Sequence, residues 1–405
     1  VLDEAMAVYF RAPHSYTGED MFELNLHGSY SVVSAVSRAL TRRGMRLAEA
    51  GEFTKRAFLN GKMDLVQADA VMDLINAETR RGASAALEQL EGGLSRRIGA
   101  IEEKLLDFAS ELAAAMDYPE EMEDEVLSAA PEVLNSAISR IRDLIDNGNC
   151  NKIIREGAKL AILGRPNVGK SSLLNALMNA ERAIVTNIAG TTRDVLEEKI
   201  DLLGLPVRIA DTAGIHETGD AVEKIGIERA LHEAASAECV LLLFDGSAGI
   251  TQEDERLVQK VFGMNCRNVI FAINKCDLSD CGTAAEQLKN IAPENGGSIS
   301  RISCRTGFGL DELKHRIAEA VGLSEGRAIV TNERHIECLS AACAELCEAA
   351  ELFSKGGNAA EMLLPQTELV AESVGNALHC LGEISGREVS EELLDRIFER
   401  FCVGK

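Results

Sequence analysis

The chain has 405 residues, of which 46% are hydrophobic and 26% are charged. This length suits two or three domains with buried cores, and the composition excludes wholesale disorder. Lys and Arg number 42 against 65 Asp and Glu, and the net charge of −23 argues against a surface that coats nucleic acid broadly, although a local basic groove is compatible with it.

Residues 1–61 have a mixed pattern, in which Phe22–Leu26 is a candidate strand and Ser15–Gly18 a candidate turn. From Asp64 to about Arg155 the pattern predicts long helices. An apolar stripe at helical spacing carries that prediction, and it consists of Leu87, Leu90, Leu94, Ile98, Ile101, Leu105, Phe108 and Leu112. No apolar run approaches the roughly 20 residues of a membrane span.

Residues 159–322 alternate strand-like runs with helical patterns, which predicts a mostly parallel sheet flanked by helices. The runs are Leu160–Leu163, Val207–Ala210, Cys239–Phe244 and Val269–Ile273. Helical spacing returns from about 329 to 401, through Ile336, Leu339, Cys343, Leu346, Ala350 and Phe353. We interpret this order as one helical domain interrupted by an inserted α/β domain.

The eleven Cys residues are scattered, and none of their spacings is C-x-x-C. This argues against a zinc ribbon or a thioredoxin-type site. We interpret the cysteines as small buried hydrophobes in a reducing cytosol, which predicts a cytoplasmic location. The chain starts at Val1 with no initiator Met, so we expect a further segment upstream.

A phosphate-binding loop is predicted at Gly164-Arg-Pro-Asn-Val-Gly-Lys170-Ser171, between a strand and a helix. In this G-x-x-x-x-G-K-[ST] pattern, glycines let backbone N–H groups cradle phosphate oxygens at a helix N-terminus. Lys170 would hold the β- and γ-phosphates, and Ser171 would ligate Mg²⁺.

Three further motifs follow in the order that a GTPase requires. Asp211-Thr-Ala-Gly214 comes after a strand, where the Asp can hold the Mg²⁺ shell and the Gly N–H can reach the γ-phosphate. Asn274-Lys-Cys-Asp277 ends in a carboxylate that can accept the two N–H groups of guanine, which adenine lacks. Ser303-Cys-Arg305 fits a loop that contacts the base. These motifs predict GTP rather than ATP as the nucleotide.

Ile215 follows Gly214, where Ras-type enzymes place a Gln that orients water. An Ile side chain can do neither acid–base nor hydrogen-bond work, so hydrolysis needs a polar group from farther along. The candidates are His216, Glu217, Asp220 and Glu223.

The stretch Thr186–Asp194 lies where switch I is expected, with Thr192 as a contact to Mg²⁺ and the γ-phosphate. Its oxygen-rich sequence fits either a flexible polar loop or a site for a second, monovalent cation.

These residues together resemble the tRNA modification GTPases of the MnmE family, also called TrmE. The resemblance extends over essentially the whole chain. It also includes Thr17-Gly-Glu-Asp20 with Glu23, Gly51-Glu-Phe53, Arg56-Ala-Phe-Leu-Asn-Gly-Lys62, Gly190-Thr-Thr-Arg-Asp194, Ile225-Gly-Ile-Glu-Arg229 and the terminal Phe401-Cys-Val-Gly-Lys405.

The resemblance implies a Ras-like P-loop GTPase domain, of class α/β, inserted into a discontinuous helical bundle and preceded by a small α+β domain of the folate-binding type. The implied N-terminal domain is residues 1–61, which is incomplete at its N-terminus and serves dimerisation. The implied G domain is residues 158–323, and the two parts of the helical domain are residues 62–157 and 324–405. The implied partners are GTP and GDP, a second copy in a homodimer, tRNA and the FAD- and NADH-using protein MnmG.

The resemblance also implies site residues. Those that bind GTP are Asn167, Val168, Gly169, Lys170, Ser171, Ser172, Thr186, Asn187, Ile188, Ala189, Gly190, Thr191, Thr192, Asp211, Thr212, Ala213, Gly214, Asn274, Lys275, Asp277, Ser303, Cys304 and Arg305. Asn167, Thr186, the Ile188 carbonyl and Thr191 would hold K⁺, while Glu223 would position the attacking water.

The implied folate site takes 5-formyltetrahydrofolate and uses Glu23, Lys62 and Lys405. A further folate-contacting Arg is expected upstream of Val1. From residue type alone, Glu23 and Lys62 also fit an ordinary surface pair. Cys402 would lie near the tRNA-modification chemistry, although a single Cys is also compatible with an inert thiol.

The function implied is a K⁺-activated GTPase that, with MnmG, modifies carbon 5 of the wobble uridine of certain tRNAs with a folate-borne one-carbon unit. One alternative is a regulatory or ribosome-assembly GTPase without modification chemistry. Such proteins usually carry an RNA-binding module, and the sequence shows no basic-flanked G-x-x-G outside the α/β domain. Another is a helical scaffold with a degenerate G domain, against which the intact Lys170, Ser171, Asp211 and Asp277 argue.

Overall fold

The computed structural model describes residues 1–117, 119–180, 198–209, 231, 233–264, 266, 268–292, 299–322, 332–355, 364–399 and 401. The chain forms two compact units. One comprises Val1–Asn76, Ala86–Asp146 and Asn332–Lys405, and the other comprises Ala77–Ala85 and Asn147–Thr331. In the described ranges, no helix has the length and apolar character needed to cross a membrane.

The N-terminal part of the first unit pairs a short hairpin with two helices. Strand β1 (Met6–Phe10) runs antiparallel to β2 (Met21–Asn25), so the strand predicted at Phe22–Leu26 is confirmed with a shift of one residue. Helices α1 (Tyr30–Thr41) and α2 (Glu52–Leu59) follow.

The next segment is helical, as its apolar spacing predicted, but the predicted stripe is not continuous. Its helices are α3 (Leu65–Asn76), α4 (Arg80–Leu90), α5 (Gly93–Asp117) and α6 (Pro119–Glu156). The stripe breaks at Gly92, whose φ of +81° lies in the left-handed region that commonly ends a helix. Leu87 therefore lies on α4 and is exposed, whereas the residues from Leu94 to Leu112 form the buried face of α5.

The second unit contains a six-stranded sheet in the order β4-β5-β3-β6-β7-β8, in which only β4 is antiparallel to its neighbour. Its elements in chain order are β3 (Ala158–Leu163), α7 (Lys170–Ala180), β4 (Glu198–Leu202), β5 (Leu205–Ile209), β6 (Cys239–Asp245), α8 (Gln252–Gly263), β7 (Val269–Asn274), α9 (Gly282–Ile291), β8 (Ile299–Arg301) and α10 (Leu310–Ala320). The prediction of a mostly parallel sheet flanked by helices is confirmed.

Both faces of this sheet are buried. On one face Leu160 and Ile162 of β3 pack with α7 and α10, and on the other Ala161 and Leu163 pack with α8 and α9. A strand that is covered on both sides needs apolar residues at successive positions, which explains the continuous apolar runs in the sequence.

The chain then returns to the first unit through α11 (Glu333–Lys355), α12 (Leu364–Ser385) and α13 (Glu391–Phe398). Helix α12 packs against α11 and also against α3 and α5 from the earlier part of the chain. Segments on both sides of the sheet-containing unit in sequence therefore share one helical core, as predicted for a discontinuous helical domain.

Candidate functional site

The shape of the loop between β3 and α7 requires glycine at two positions. A Cβ on Gly164 would lie 2.4 Å from the Leu243 carbonyl oxygen, and one on Gly169, where φ is +104°, would lie 2.3 Å from Asn274 Nδ2. Asn167 has a left-handed φ of +62°. This tight path at a helix N-terminus is the geometry in which backbone N–H groups bind phosphate.

Lys170 is the first residue of α7, and its side chain folds back along the loop. Its Nζ donates to the carbonyl oxygens of Gly164 at 2.6 Å and Arg165 at 2.8 Å. The ammonium group thus lies beside the loop, where the helix N-terminus already favours negative charge. Ser171, which would ligate Mg²⁺, is half-buried in the first turn of α7, and Ser172 beside it is exposed.

The side chain of Arg165, a residue of this loop, bonds to α8. Its Nε donates to Oδ1 of Asp254 at 2.8 Å, and the Asp254 side chain is fully buried. Asp254 also completes a capping box with Thr251 at the start of α8. Sequence analysis missed this support because Arg165 and Asp254 are distant in sequence. The Thr251-x-x-Asp254 capping pattern was the available signal.

Asn274 joins the phosphate loop to the predicted base-contacting loop. It ends β7 and is 3% exposed. Its Nδ2 donates to the Val168 carbonyl at 2.9 Å, and its Oδ1 accepts from the Cys304 backbone N–H at 3.1 Å. The Asn274 amide therefore contacts both loops, with its nitrogen as donor to one and its oxygen as acceptor from the other.

Lys275 connects the phosphate loop to the end of β6. Its Nζ donates to the Asn167 carbonyl at 2.9 Å and to Oδ2 of Asp245 at 2.5 Å. Asp245 ends β6, and sequence analysis did not identify it. The lysine, which is paired with this carboxylate, therefore bonds the backbone of Asn167, the residue with the left-handed φ.

Asp277 is prepared to accept hydrogen bonds. Its Oδ1 accepts from the Ser303 hydroxyl at 2.6 Å, and its Oδ2 pairs with Arg305 at 2.5 Å. The Ser303 hydrogen bond holds the pKa of Asp277 below its ordinary value; burial opposes this, and Arg305 adds to the lowering. An ionised carboxylate has lone pairs left for the two N–H groups of a guanine edge.

The remaining predicted GTPase residues lie outside the described part of the chain. They are Thr186, Asn187, Ile188, Ala189, Gly190, Thr191, Thr192, Asp211, Thr212, Ala213, Gly214 and Glu223. Cys402 and Lys405 lie outside it as well. Their roles stay predictions from the sequence.

A second group of predicted residues surrounds α2 in the N-terminal part. Asn60 Nδ2 donates to the Thr17 carbonyl at 2.8 Å, and Lys62 Nζ donates to the Pro13 carbonyl at 3.0 Å. Arg56 bridges Glu19 and Glu52 at 3.1 and 2.9 Å. The motifs around Thr17, Glu52 and Lys62 therefore lie close together, as residues of one binding site must. Glu23 is exposed on β2, opposite Val8.

The end of the described chain reaches the same region. Phe401 packs against Gly51, where an added Cβ would lie 2.9 Å from the Phe401 Cβ. Phe401 and Phe398 form a small apolar cluster with Leu65, Ala68 and Leu394. This contact brings the residue before Cys402 to the start of α2.

The sequence interpretation of the cysteines is wrong at one place. Cys276 and Cys281 are joined in a disulfide, with their Cα atoms 5.7 Å apart. Their C-x-x-x-x-C spacing was the signal, but spacing alone does not show that two residues of a loop face each other.

The doubly covered parallel sheet, the phosphate loop with Lys170 and the guanine-type loop with Asp277 define a P-loop GTPase, an enzyme that hydrolyses GTP to GDP and phosphate. Family comparison narrows the class. Two protein families match the chain. The family described as "MnmE helical domain" matches residues 65–402, and the family described as "GTP-binding protein TrmE N-terminus" matches residues 1–62. The chain belongs to the MnmE family of tRNA modification GTPases.

Full-length relatives agree with this assignment. The tRNA modification GTPase MnmE of Moorella thermoacetica is 43% identical over all of this chain and 86% of its own length. Those of Aquifex aeolicus and Alkaliphilus oremlandii are 42% and 40% identical, over all of this chain and 87% and 86% of their own lengths. The similarity therefore includes the N-terminal part, the helical segments and the GTPase unit together.

Proposed function

We propose that this GTPase takes part in modifying carbon 5 of the wobble uridine of certain tRNAs. In this proposal GTP hydrolysis drives opening and closing of the G domain and makes no bond to tRNA. The observation that carries it is a phosphate loop with Lys170 folded along it, Asn274 bonded to that loop and Asp277 held by Ser303, in a chain that matches tRNA modification GTPases over its full length.

The phosphate loop suits a Mg²⁺-bound nucleotide, because glycine at 164 and 169 allows the tight path of a phosphate-binding loop, where a Cβ would clash with Leu243 and Asn274. Ser171 would supply one Mg²⁺ ligand, with Thr192 as a second and Asp211 in the outer shell.

We extend the proposal to K⁺ beside the phosphates, held by Asn167, Thr186, the Ile188 carbonyl and Thr191. A bound cation at that position supplies the positive charge that an arginine finger supplies elsewhere. Asn167 is exposed at the loop, and its backbone is fixed by Lys275.

The N-terminal part would bind a reduced folate, 5-formyltetrahydrofolate, as the one-carbon donor. What supports this is the cluster of motif residues around α2, together with the contact of Phe401 with Gly51. The ammonium groups of Lys62 and Lys405 would complement the folate carboxylates, and Glu23 would accept N–H groups from the pterin. Cys402, which follows Phe401, would then lie near the same site.

The partners proposed are tRNA, the FAD- and NADH-using protein MnmG, and a second copy of this chain. The N-terminal parts would form the homodimer, and the G domains would pair across switch I when GTP and K⁺ are bound. A net charge of −23 suits a division of labour in which MnmG provides much of the tRNA contact.

The test is nucleoside analysis of tRNA from cells that lack this gene. We expect the modified wobble uridine to be absent and to return with the wild-type gene, but not with Lys170→Ala. A normal nucleoside profile in the deletion strain would overturn the proposal and favour a regulatory or ribosome-assembly GTPase.

A further inference from the structure

The loop that carries Asp277 is closed by two cysteines. Cys276 directly precedes Asp277, and Cys281 directly precedes α9. The separation of their Cα atoms, 5.7 Å, lies within the range of about 4.4–6.8 Å that disulfides span. The backbone therefore permits the bond without moving the loop.

The loop is bonded to residues that directly follow β8 and β6. The Cys276 N–H donates to the Ile302 carbonyl at 3.2 Å, and the Ser279 hydroxyl donates to the Gly246 carbonyl at 2.9 Å. Cys281 is buried against Gly246, where a Cβ would lie 2.5 Å from its Sγ. A bond between the two sulfurs thus ties the residue next to Asp277 to a fixed point of the scaffold.

Other thiols of the same unit are poorly suited to oxidation. Burial raises the pKa of Cys239 to about 12 and that of Cys304 to about 11, so both are protonated at neutral pH. Cys276 is half-buried, which leaves it more accessible than Cys281. Among the described residues, only Cys276 and Cys281 are paired in a disulfide.

We propose that Cys276 and Cys281 form a redox modification site, and that their oxidation by a low-molecular-weight disulfide tightens guanine nucleotide binding. The Cys276 thiolate attacks one sulfur of that disulfide and releases one small thiol. Cys281 then attacks the mixed disulfide at Cys276 and releases the second. The two protein thiols lose two electrons and two protons in total, and the small disulfide gains them.

The direction of the effect follows from the loop geometry, and it rests on the proposed role of Asp277 in guanine recognition. The disulfide closes a ring of residues 276–281 that contains Asp277, which keeps the carboxylate beside Ser303 and Arg305. A reduced loop has more conformations to lose when the nucleotide binds. Since pre-organisation strengthens binding, we expect the reduced protein to bind GDP about threefold to tenfold more weakly.

The experiment uses the full chain, equilibrated in glutathione buffers from fully reduced to largely oxidised. Peptide mass analysis measures the Cys276–Cys281 bond, and titration with a fluorescent GDP analogue measures affinity on the same samples. We expect both signals to change together in wild type. Cys281→Ser and, separately, Cys276→Ser should lose the redox response. Cys266→Ser, a half-buried thiol of the same unit, should keep it.

Three results would overturn the inference: no Cys276–Cys281 bond in the oxidised buffer, equal GDP affinity in both states, or a full redox response in Cys281→Ser. The mass measurement does not depend on the guanine assignment. A bond that forms while Asp277→Asn keeps its preference for GDP would therefore show that the guanine assignment has failed, separately from the thiol chemistry.

Discussion

The side-chain amide of Asn274 donates to the main-chain carbonyl of Val168 at 2.9 Å, which connects the end of β7 to the phosphate loop. The same amide accepts from the Cys304 N–H, so three loops of the nucleotide site meet at one buried residue. The arrangement couples recognition of the base to the shape of the phosphate cradle. It explains why an amide, with both a donor and an acceptor, is needed at this position.

Replacing Asn274 by Ala should damage stability and binding together. The change leaves the Val168 carbonyl and the Cys304 N–H without this partner, which costs about 1–3 kcal/mol of unfolding free energy for a buried group. GTP affinity should fall as well, because both loops lose their common support. Urea denaturation and nucleotide titration measure the two effects.

Asn268→Ala is the matched control for that change. Asn268 also donates from Nδ2 to a backbone carbonyl, that of Glu238 at 3.1 Å, but at the opposite end of β7. It should lose stability and keep GTP affinity. Equal GTP affinity in wild type and Asn274→Ala would show that the two loops are not coupled through this amide.

Base choice should depend on Asp277. An Asn at this position offers one acceptor and one donor edge instead of two acceptors, so Asp277→Asn should weaken GTP binding and admit xanthosine triphosphate. Competition between the two nucleotides measures the switch. Asp280→Asn, a nearby exposed carboxylate that caps Gly282, should leave the preference unchanged. Full retention of the GTP preference in Asp277→Asn would show that this loop does not read guanine.

The sheet and the nucleotide loops could be predicted because their signals are local. Runs such as Leu160–Leu163 are apolar at every position, since both faces of the strand are buried. The loop motifs are short, and each follows a parallel strand, which places them all at the carboxyl end of the sheet. Strand β1 was missed, because its residues are all hydrophobic although most are exposed, so the sequence shows no alternation of apolar and polar positions. The Arg165–Asp254 pair joins residues that are far apart in sequence, which no spacing rule finds.

Turnover of GTP should be faster in K⁺ than in Na⁺. Asn167 has a left-handed φ, and Lys275 donates to its carbonyl, so its backbone is held in place within the phosphate loop. A fixed set of oxygens at K⁺ spacing fits the smaller Na⁺ poorly. Rates in KCl and NaCl at matched ionic strength test this. Asn167→Ala should lose the response to K⁺ while still binding nucleotide, and equal wild-type rates in the two salts would remove the K⁺ proposal.

Asp69 should make the helical unit sensitive to acid. Its Oδ2 accepts from Arg334 at 2.9 Å and from the fully buried His335 at 3.2 Å. Burial raises the pKa of Asp69, but the hydrogen bonds and charges of His335 and Arg334 outweigh it, and the net pKa is lowered. The stabilisation is therefore complete above the unfolded pKa of about 3.9 and is lost as the pH falls through the lower folded value.

Asp69→Asn should reveal that stabilisation by its pH dependence. Breaking a buried charge pair costs about 3–5 kcal/mol, so the variant should unfold at lower urea concentration than wild type at pH 6. The difference should shrink as the pH falls below the unfolded pKa of about 3.9 towards the lower folded value, because the wild-type carboxylate then loses its charge. Asp107→Asn, exposed on α5, should match wild type throughout. A gap between wild type and Asp69→Asn that stays constant with pH would exclude the ion pair as its cause.

Glu223 should supply the polar group that hydrolysis requires. Ile215 follows Gly214 and cannot orient water, and Glu223 is a carboxylate near enough in sequence to act in the same switch region. Because the γ-phosphate repels a carboxylate at close range, we expect Glu223 to position the attacking water, with or without a second water between them. Such roles contribute roughly 10²–10⁴ in rate, or about 3–5 kcal/mol.

Glu223→Ala should lower GTP turnover by that factor, while nucleotide affinity and K⁺-dependent pairing of the G domains survive. Single-turnover rates separate the chemical step from binding. Glu217→Ala and Asp220→Ala serve as matched carboxylate controls and should keep their turnover. If Glu223→Ala turned over within about threefold of wild type, the water-positioning role would pass to whichever of His216, Glu217 and Asp220 shows the loss instead.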